Sequence, residues 1–190
     1  MKTRQEALQL LHEYTQSESL RRHAYAVEGA MRAYAIKFGE DVELWGMTGL
    51  LHDFDYERFP APSEHTVAGA RILRESGYSE DMIHAISGHT NHHDVKRDTL
   101  LAKTLYACDE ISGFVMAVAM VRPTRTITSV EVKSVKKKLK DKAFAKGVNR
   151  EDVYGGAEEL GVLLDDHIEL VIAALCGISS ILGLDGSESA

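Results

Sequence analysis

The 190-residue sequence predicts an all-α fold, a compact body of roughly seven to nine helices. Three features carry that expectation. Apolar residues recur at intervals of three and four through almost every segment, the spacing that lays one helix face against a core. Residues that start helices (Ser, Thr, Asp, Asn) and stop them (Gly, Pro) fall between those segments. Alternating β-branched runs are nearly absent, and only 125–130 has enough of them to suggest a strand.

Taken in order, the first helix is expected over 3–14. The second covers 19–38, where Leu20, Ala24, Val27, Met31 and Tyr34 share a face and Gly39 stops the run. A third begins at Asp41 and ends near Asp53. Two prolines, Pro60 and Pro62, break the chain into a loop over 54–63. Ser63 is expected to cap the next helix, which ends at Gly77, and Ser79 opens another that runs to about His89. A long helix spans 99–121 and stops at Arg122-Pro123. The stretch 128–145 is amphipathic and basic, Asn149 caps a helix over 151–159, and 162–182 supplies a closing apolar helix. That last helix suits either the core or the seam of a homo-oligomer. The small polar residues after Leu184 are expected to fray. With no linker, repeat or low-complexity stretch, the chain reads as one domain over 1–190. Its core lies at about 19–121, with the basic and closing helices added over 122–184.

Composition narrows the function. No run of about 18 apolar residues occurs, so no membrane span is expected. The start, MKTRQEALQLLHEY, mixes charges of both signs and lacks the apolar stretch of a secretion signal. Cys108 and Cys176 lie in apolar helical stretches and read as reduced, buried thiols, so the expected location is cytoplasmic. The net charge of −7 is uneven: ten Lys or Arg against two acids fall between Arg122 and Arg150, leaving twelve basic against 27 acidic residues elsewhere. A short basic segment on an acidic chain suits a small anionic ligand better than a long nucleic acid, which usually needs a broad basic face.

The chemistry is carried by histidines and aspartates on apolar faces. His23 shares a face with Val27, Ala30 and Tyr34; His65 aligns with Ala68, Gly69 and Ile72; His89 follows Met82, Ala85 and Ile86. Asp109 lies on the stripe of Leu105, Ser112 and Met116, where a lone carboxylate would be costly to bury without a cation or several donors. One inward histidine is usually a hydrogen-bonded core residue. Four segments that each offer a nitrogen or carboxylate ligand point instead to a metal. The tandem His52-Asp53 ends the apolar run 45–51. On a helix the two would point about 100° apart, but at a helix end both can turn towards one ion. His12 and His167 sit among leucines and read as structural, His84 falls off the apolar face, and Trp45, Tyr106 and Met116 read as core.

With its surroundings "LRRHAYAVEGAM", "MTGLLHDFDYE" and "KTLYACDEISGF", this pattern of His23, His52-Asp53 and Asp109 resembles the HD superfamily of metal-dependent phosphohydrolases, over about 23–114. A two-metal subset of that family adds two histidines, which "EHTVAGARIL" and "AISGHTNHHD" offer as His65 and His89, with His92 and His93 as alternatives to His89. The doublet continues as HDFDYE, not as the HDIG-lysine run of one branch, and no GYP triplet follows. The likeness is therefore to an HDIG-like protein outside the cyclic-dinucleotide type.

The resemblance implies one or two divalent ions (Mn, Fe, Mg, Co, Ni or Zn). His23, His52, Asp53 and Asp109 would hold the first, and His65 and His89 with a bridging Asp53 the second. It implies a phosphohydrolase acting on a nucleotide or another small phosphate ester through metal-activated water. Asp53, Asp55 and Glu57 are the candidate catalytic carboxylates, Asp55 and Glu57 otherwise being solvated loop acids. Arg58, Lys133 and Lys137 are candidate phosphate contacts by charge. Two other readings share the ligand pattern: a di-iron oxygenase of the same superfamily, and a non-catalytic metal-binding module.

Overall fold

The computed structural model describes residues 2–187, and among them the chain forms nine α-helices and one 3-10 turn, with no strand. The helices are α1 (Arg4–Tyr14), α2 (Glu18–Phe38), α3 (Val42–Leu51), α4 (Val67–Glu75), α5 (Glu80–Ser87), α6 (Leu100–Met120), α7 (Val132–Leu139), α8 (Arg150–Leu160) and α9 (Leu164–Cys176). None of them is long and apolar enough to cross a membrane.

Most boundaries follow from capping chemistry. The Thr3 hydroxyl accepts from the Glu6 backbone N–H while the Glu6 carboxylate accepts from Thr3 N–H, a reciprocal box that starts α1. Ser17, Asp41, Ser79, Thr99 and Asn149 cap α2, α3, α5, α6 and α8 with their side chains. Three expectations need correction. Ser63 does not cap α4; the chain makes turns through 62–66, and α4 begins only at Val67, where the Asp55 carboxylate takes over the capping role. The basic segment is helical over eight residues only, because the chain leaves the helix at Lys140 and turns through 142–147. The β-branched stretch near 125–130 forms the 3-10 turn Ile127–Ser129 and a single bridge between Thr126 and Asp185. The fraying expected after Leu184 thus does not begin at Asp185, and 188–190 lie outside the described residues.

The core is organised around α2 and α6. α2 packs along α3 and crosses α6 and α9, while α6 also meets α5, α7 and α8. Tyr34, Leu50, Leu51, Phe54, Leu105 and Phe114 are fully buried where these helices meet. One polar relay sits in the apolar interior: the Tyr34 hydroxyl donates to His167 Nδ1 (2.6 Å), and His167 Nε2 donates to the Ala107 carbonyl (2.8 Å). With both ring nitrogens satisfied, His167 joins α2, α9 and α6 as a structural residue, and burial lowers its pKa so that it stays neutral. His12, expected among leucines as a structural residue, is exposed, and its Nε2 bonds the Tyr25 hydroxyl (2.7 Å).

The α2–α3 contact aims the end of α3, where His52 and Asp53 lie. It is close because Gly49 has no side chain: a Cβ there would stand 2.9 Å from the Val27 carbonyl oxygen and 3.0 Å from Glu28 Cα. Both are backbone atoms that cannot move aside without shifting a helix. Gly49→Ala is therefore expected to cost about 1–3 kcal/mol of stability, read from chemical denaturation. An unchanged midpoint would show that the crossing has slack.

Candidate metal centre

α3 ends at Leu51, and His52, still in helical conformation, is its last cap position. The chain then winds through consecutive tight turns over 52–58, with Phe54, Tyr56 and Arg58 N–H donating to the carbonyls of Leu51, Asp53 and Asp55. This lets the two adjacent side chains of the doublet face one point past the helix end. Thr15 Oγ1 donates to the Phe54 carbonyl (3.0 Å) and ties the turn to the α1–α2 connection.

Four histidines and two aspartates meet there. His23 comes from α2, Asp109 from α6, His65 from the turn before α4, and His89 from two residues beyond α5. On one side, His23 Nε2 lies 2.9 Å and His52 Nε2 3.4 Å from Asp109 Oδ1. On the other, His65 Nε2 and His89 Nε2 each lie 3.1 Å from Asp53 Oδ1. The second Asp53 oxygen is 3.6 Å from His52 Nε2, so Asp53 stands between the two halves. The ligand atoms of His23, His52 and Asp109 fall within 4.8 Å of one another, as do those of His52, Asp53 and His89.

The remaining ring nitrogens show why the Nε2 atoms point inward. His52 Nδ1 donates to the Gly49 carbonyl (2.8 Å), His89 Nδ1 to the Ile86 carbonyl (2.7 Å), and His65 Nδ1 to Asp55 Oδ1 (3.0 Å). A ring whose Nδ1 carries and donates the proton presents an unprotonated Nε2, the form a metal binds. His52 gives the sharpest test of fit. It is fully buried, yet among the described residues its Nε2 has no hydrogen-bond partner. A buried nitrogen facing two carboxylates without a hydrogen bond is an expensive omission in a protein alone and an ordinary arrangement around a divalent ion. The residues present fit the group.

The electrostatics agree. Burial disfavours charge on His52, but Asp53 and Asp109 outweigh it and push its pKa up to about 9. Burial likewise opposes charge on His65, while Asp53 and Asp55 raise it to about 9. Burial would raise both aspartates; instead the surrounding imidazoles hold Asp53 and Asp109 well below the usual carboxylate range. The cluster needs positive charge, and protons on the histidines supply it when no cation does.

The expected site residues separate into two groups. His23, His52, Asp53, His65, His89 and Asp109 are brought together. Of the alternatives to His89, His93 is turned away, its Nε2 donating to the His65 carbonyl (3.0 Å), and His92 lies exposed at the rim. His65 does not belong to the helical stripe of Ala68 and Ile72, because α4 starts after it. Asp55 is neither solvated nor free to orient a water. It is 1% exposed, with one oxygen on His65 Nδ1 and the other accepting from Thr66 N–H (3.0 Å) and Gly69 N–H (2.8 Å). Those bonds hold Thr66 at φ 64°, a strained conformation for a β-branched residue, and Gly69 allows the approach because a Cβ would come within 2.8 Å of Asp55 Oδ2. Glu57 faces the other way and accepts from Gln16 and Ser17 N–H (2.7 and 3.0 Å). Arg58 stacks on Tyr14 and donates to the Glu13 carbonyl. Lys133 and Lys137 belong to α7, which packs on α6 and α9; Lys133 pairs with Glu131, and neither lines the cleft at the metal cluster.

That cleft, of about 250 Å³, opens at His89 and Asp109 and is walled by Thr90, Asn91, Tyr106, Glu110, Asn149 and Asp152. Sequence reasoning gave these residues no functional role. Tyr106 was expected in the core and is mostly buried, but its hydroxyl reaches Asp152 (2.8 Å). Glu110 follows Asp109 on the same helix, where a turn of about 100° takes it off the apolar stripe. Burial and the adjacent Asp109 push its pKa up to about 7.

Comparison with known proteins agrees with this geometry. Residues 20–113 match the family model of the HD domain. This stretch of the chain is an HD domain. It is 33% identical over 109 residues to ribonuclease Y of Nitratidesulfovibrio vulgaris, covering 55% of this chain and 20% of the relative. It is 34% identical over 101 residues to ribonuclease Y of Geobacter metallireducens, covering 51% and 18%. The chain thus spans about a fifth of the length of these curated relatives. No solved structure matches it.

Asp55 gives the HD site its testable support. Asp55→Ala is expected to lower metal affinity about 10–100-fold by freeing His65, read by competition with a chromogenic chelator. Unchanged affinity would mean that His65 is oriented without it.

Proposed function

We propose that the chain is a metal-dependent phosphohydrolase that cleaves a nucleotide or another small phosphate ester with an activated water. The observation that carries this reading is the two-sided cluster, with Asp53 between His52 on one side and His65 with His89 on the other. His23, His52, Asp53 and Asp109 would hold one ion; Asp53, His65 and His89 would hold a second. When bound, such ions polarise the phosphoryl oxygens and make a water nucleophilic near neutral pH.

The chain's own residues supply the rest. The Gly49 and Ile86 carbonyls and Asp55 keep the histidine Nε2 atoms turned inward, so loading would displace protons without turning the rings. Asp53 and Asp109 keep 23% and 19% side-chain exposure, which leaves the cluster open to a substrate from one side. Asp53 is the carboxylate at the reacting centre, and Asp55 is a positioning residue acting through His65. The name of the similar ribonuclease Y proteins fits a phosphodiester as one substrate form. The absence of any Lys or Arg among the described cleft-lining residues favours a small ester over a polyanionic strand.

The test is elemental analysis of wild type beside Asp53→Ala, followed by phosphate release from aryl phosphates and nucleotides. The expected result is about two metal equivalents in the wild type, lost in the variant together with metal-dependent release. One equivalent would retain the hydrolase and remove His65 and His89 from the ligand set. A protein that takes up no metal even after reconstitution would overturn the reading.

A further inference from the structure

The cleft beside the metal cluster has a second wall that the hydrolytic reading leaves unused. Asp152 of α8 is its centre, and neutral donors from three segments fix its carboxylate. Oδ1 accepts from the Tyr106 hydroxyl (2.8 Å) and Asn91 Nδ2 (3.0 Å), and Oδ2 accepts from Asn149 Nδ2 (2.8 Å). Beside it, the Glu110 carboxylate is half-buried in the same lining and forms no ion pair among the described residues. The hydroxyl oxygen of Thr90, in the same lining, is buried and has no hydrogen-bond partner.

This wall lies next to the ligand atoms of His89 and Asp109 and presents carboxylate acceptors, with the exposed His92 at its rim and no Lys or Arg among its described lining residues. Each carboxylate oxygen can accept more than one hydrogen bond, so the internal network leaves capacity for a ligand. A phosphate would be repelled by this wall and drawn to the ions that the cluster would hold. With those ions in place the two ends of the cleft would differ in sign and would orient a ligand that is anionic at one end and donor-rich at the other.

We propose that Glu110, Asp152 and Thr90 form the specificity subsite for the alcohol half of the phosphate ester, and that this half carries hydrogen-bond donors, an ammonium or hydroxyl groups, and no second anion. The proposal rests on the phosphohydrolase reading and names the substrate class of the same site.

Binding and turnover separate the two. The manganese-loaded full chain is titrated calorimetrically with inorganic phosphate, phosphoethanolamine, glycerol 3-phosphate and 3-phosphoglycerate. Phosphoethanolamine or glycerol 3-phosphate is expected to bind about tenfold more tightly than inorganic phosphate, the worth of one charge-assisted hydrogen bond. Tighter binding of the amine alone identifies an ammonium pocket, and of the polyol alone a hydroxyl pocket. 3-Phosphoglycerate, which differs from glycerol 3-phosphate by a carboxylate, is expected to gain nothing. Glu110→Gln and Asp152→Asn are expected to remove the gain; if Asp152→Asn fails to fold, Glu110→Gln decides.

The proposal is overturned if neither organic ester outbinds phosphate, if 3-phosphoglycerate binds as well as glycerol 3-phosphate, or if the gain survives Glu110→Gln. Phosphate release from the same compounds is measured separately. A binding gain without release would retire the hydrolase and keep the subsite; release without a gain would do the reverse.

Discussion

A carboxylate withdrawn from water must recover several kcal/mol of lost hydration from charges or donors. Asp53 recovers it from three imidazoles: His52 next to it, and His65 before α4 and His89 after α5 from two other segments. No single helix could bring these together. α3 must stop where it does, the turns over 52–58 must bring the chain round, and α5 must end facing α3. The close approach of α3 to α2 at Gly49 and the burial of Phe54 against the Thr15 connection are conditions for that meeting, because each sets the direction in which the end of α3 points.

Two aspartates separated by one residue do different work for a plain geometric reason. Within tight turns, successive odd residues need not share an environment. Asp53 faces the imidazole Nε2 atoms, while Asp55 is drawn under the start of α4, where it meets two backbone N–H groups and the far nitrogen of His65. Carboxylates near the unpaired N–H groups of a helix start are stabilised by those donors and by the helix dipole. Asp55 therefore both caps α4 and fixes the His65 ring, so the loop that carries one prospective ligand is anchored by the element it leads into.

Much of this was legible in the sequence, and what was missed has a common cause. Starts such as Asp41, Ser79, Thr99 and Asn149 are local signals, and the structure has caps where they were expected, whereas α2 is capped by Ser17, ahead of the expected start at residue 19. His23, His52, Asp53, His89 and Asp109 stood out because polar groups on apolar stripes need a reason. Ser63 failed as a cap because the true capping group, Asp55, is eleven residues from Thr66 along the chain, and no window of sequence shows such a pair. Arg58, Lys133 and Lys137 were chosen by charge, which says nothing about direction; Arg58 instead binds Tyr14 and the Glu13 carbonyl. The Tyr106–Asp152–Asn91 network joins three distant segments, and only the packing of α8 on α6 assembles it.

The charges of the molecule make a last point about the site. The basic residues concentrated over 122–150 include α7, whose Lys136 and Lys137 line a separate cleft with Asp165. The cleft at the cluster carries Asp109, Glu110 and Asp152 instead. An anion approaching the cluster thus meets carboxylates on this wall, while the cluster behind them carries protonated imidazoles until an ion replaces the protons. On the reading proposed above, bound ions strengthen the attraction for phosphate by concentrating charge at the same point. Affinity for an anionic substrate and occupancy of the metal centre are then coupled, and the loaded protein binds the anion more tightly than the unloaded one.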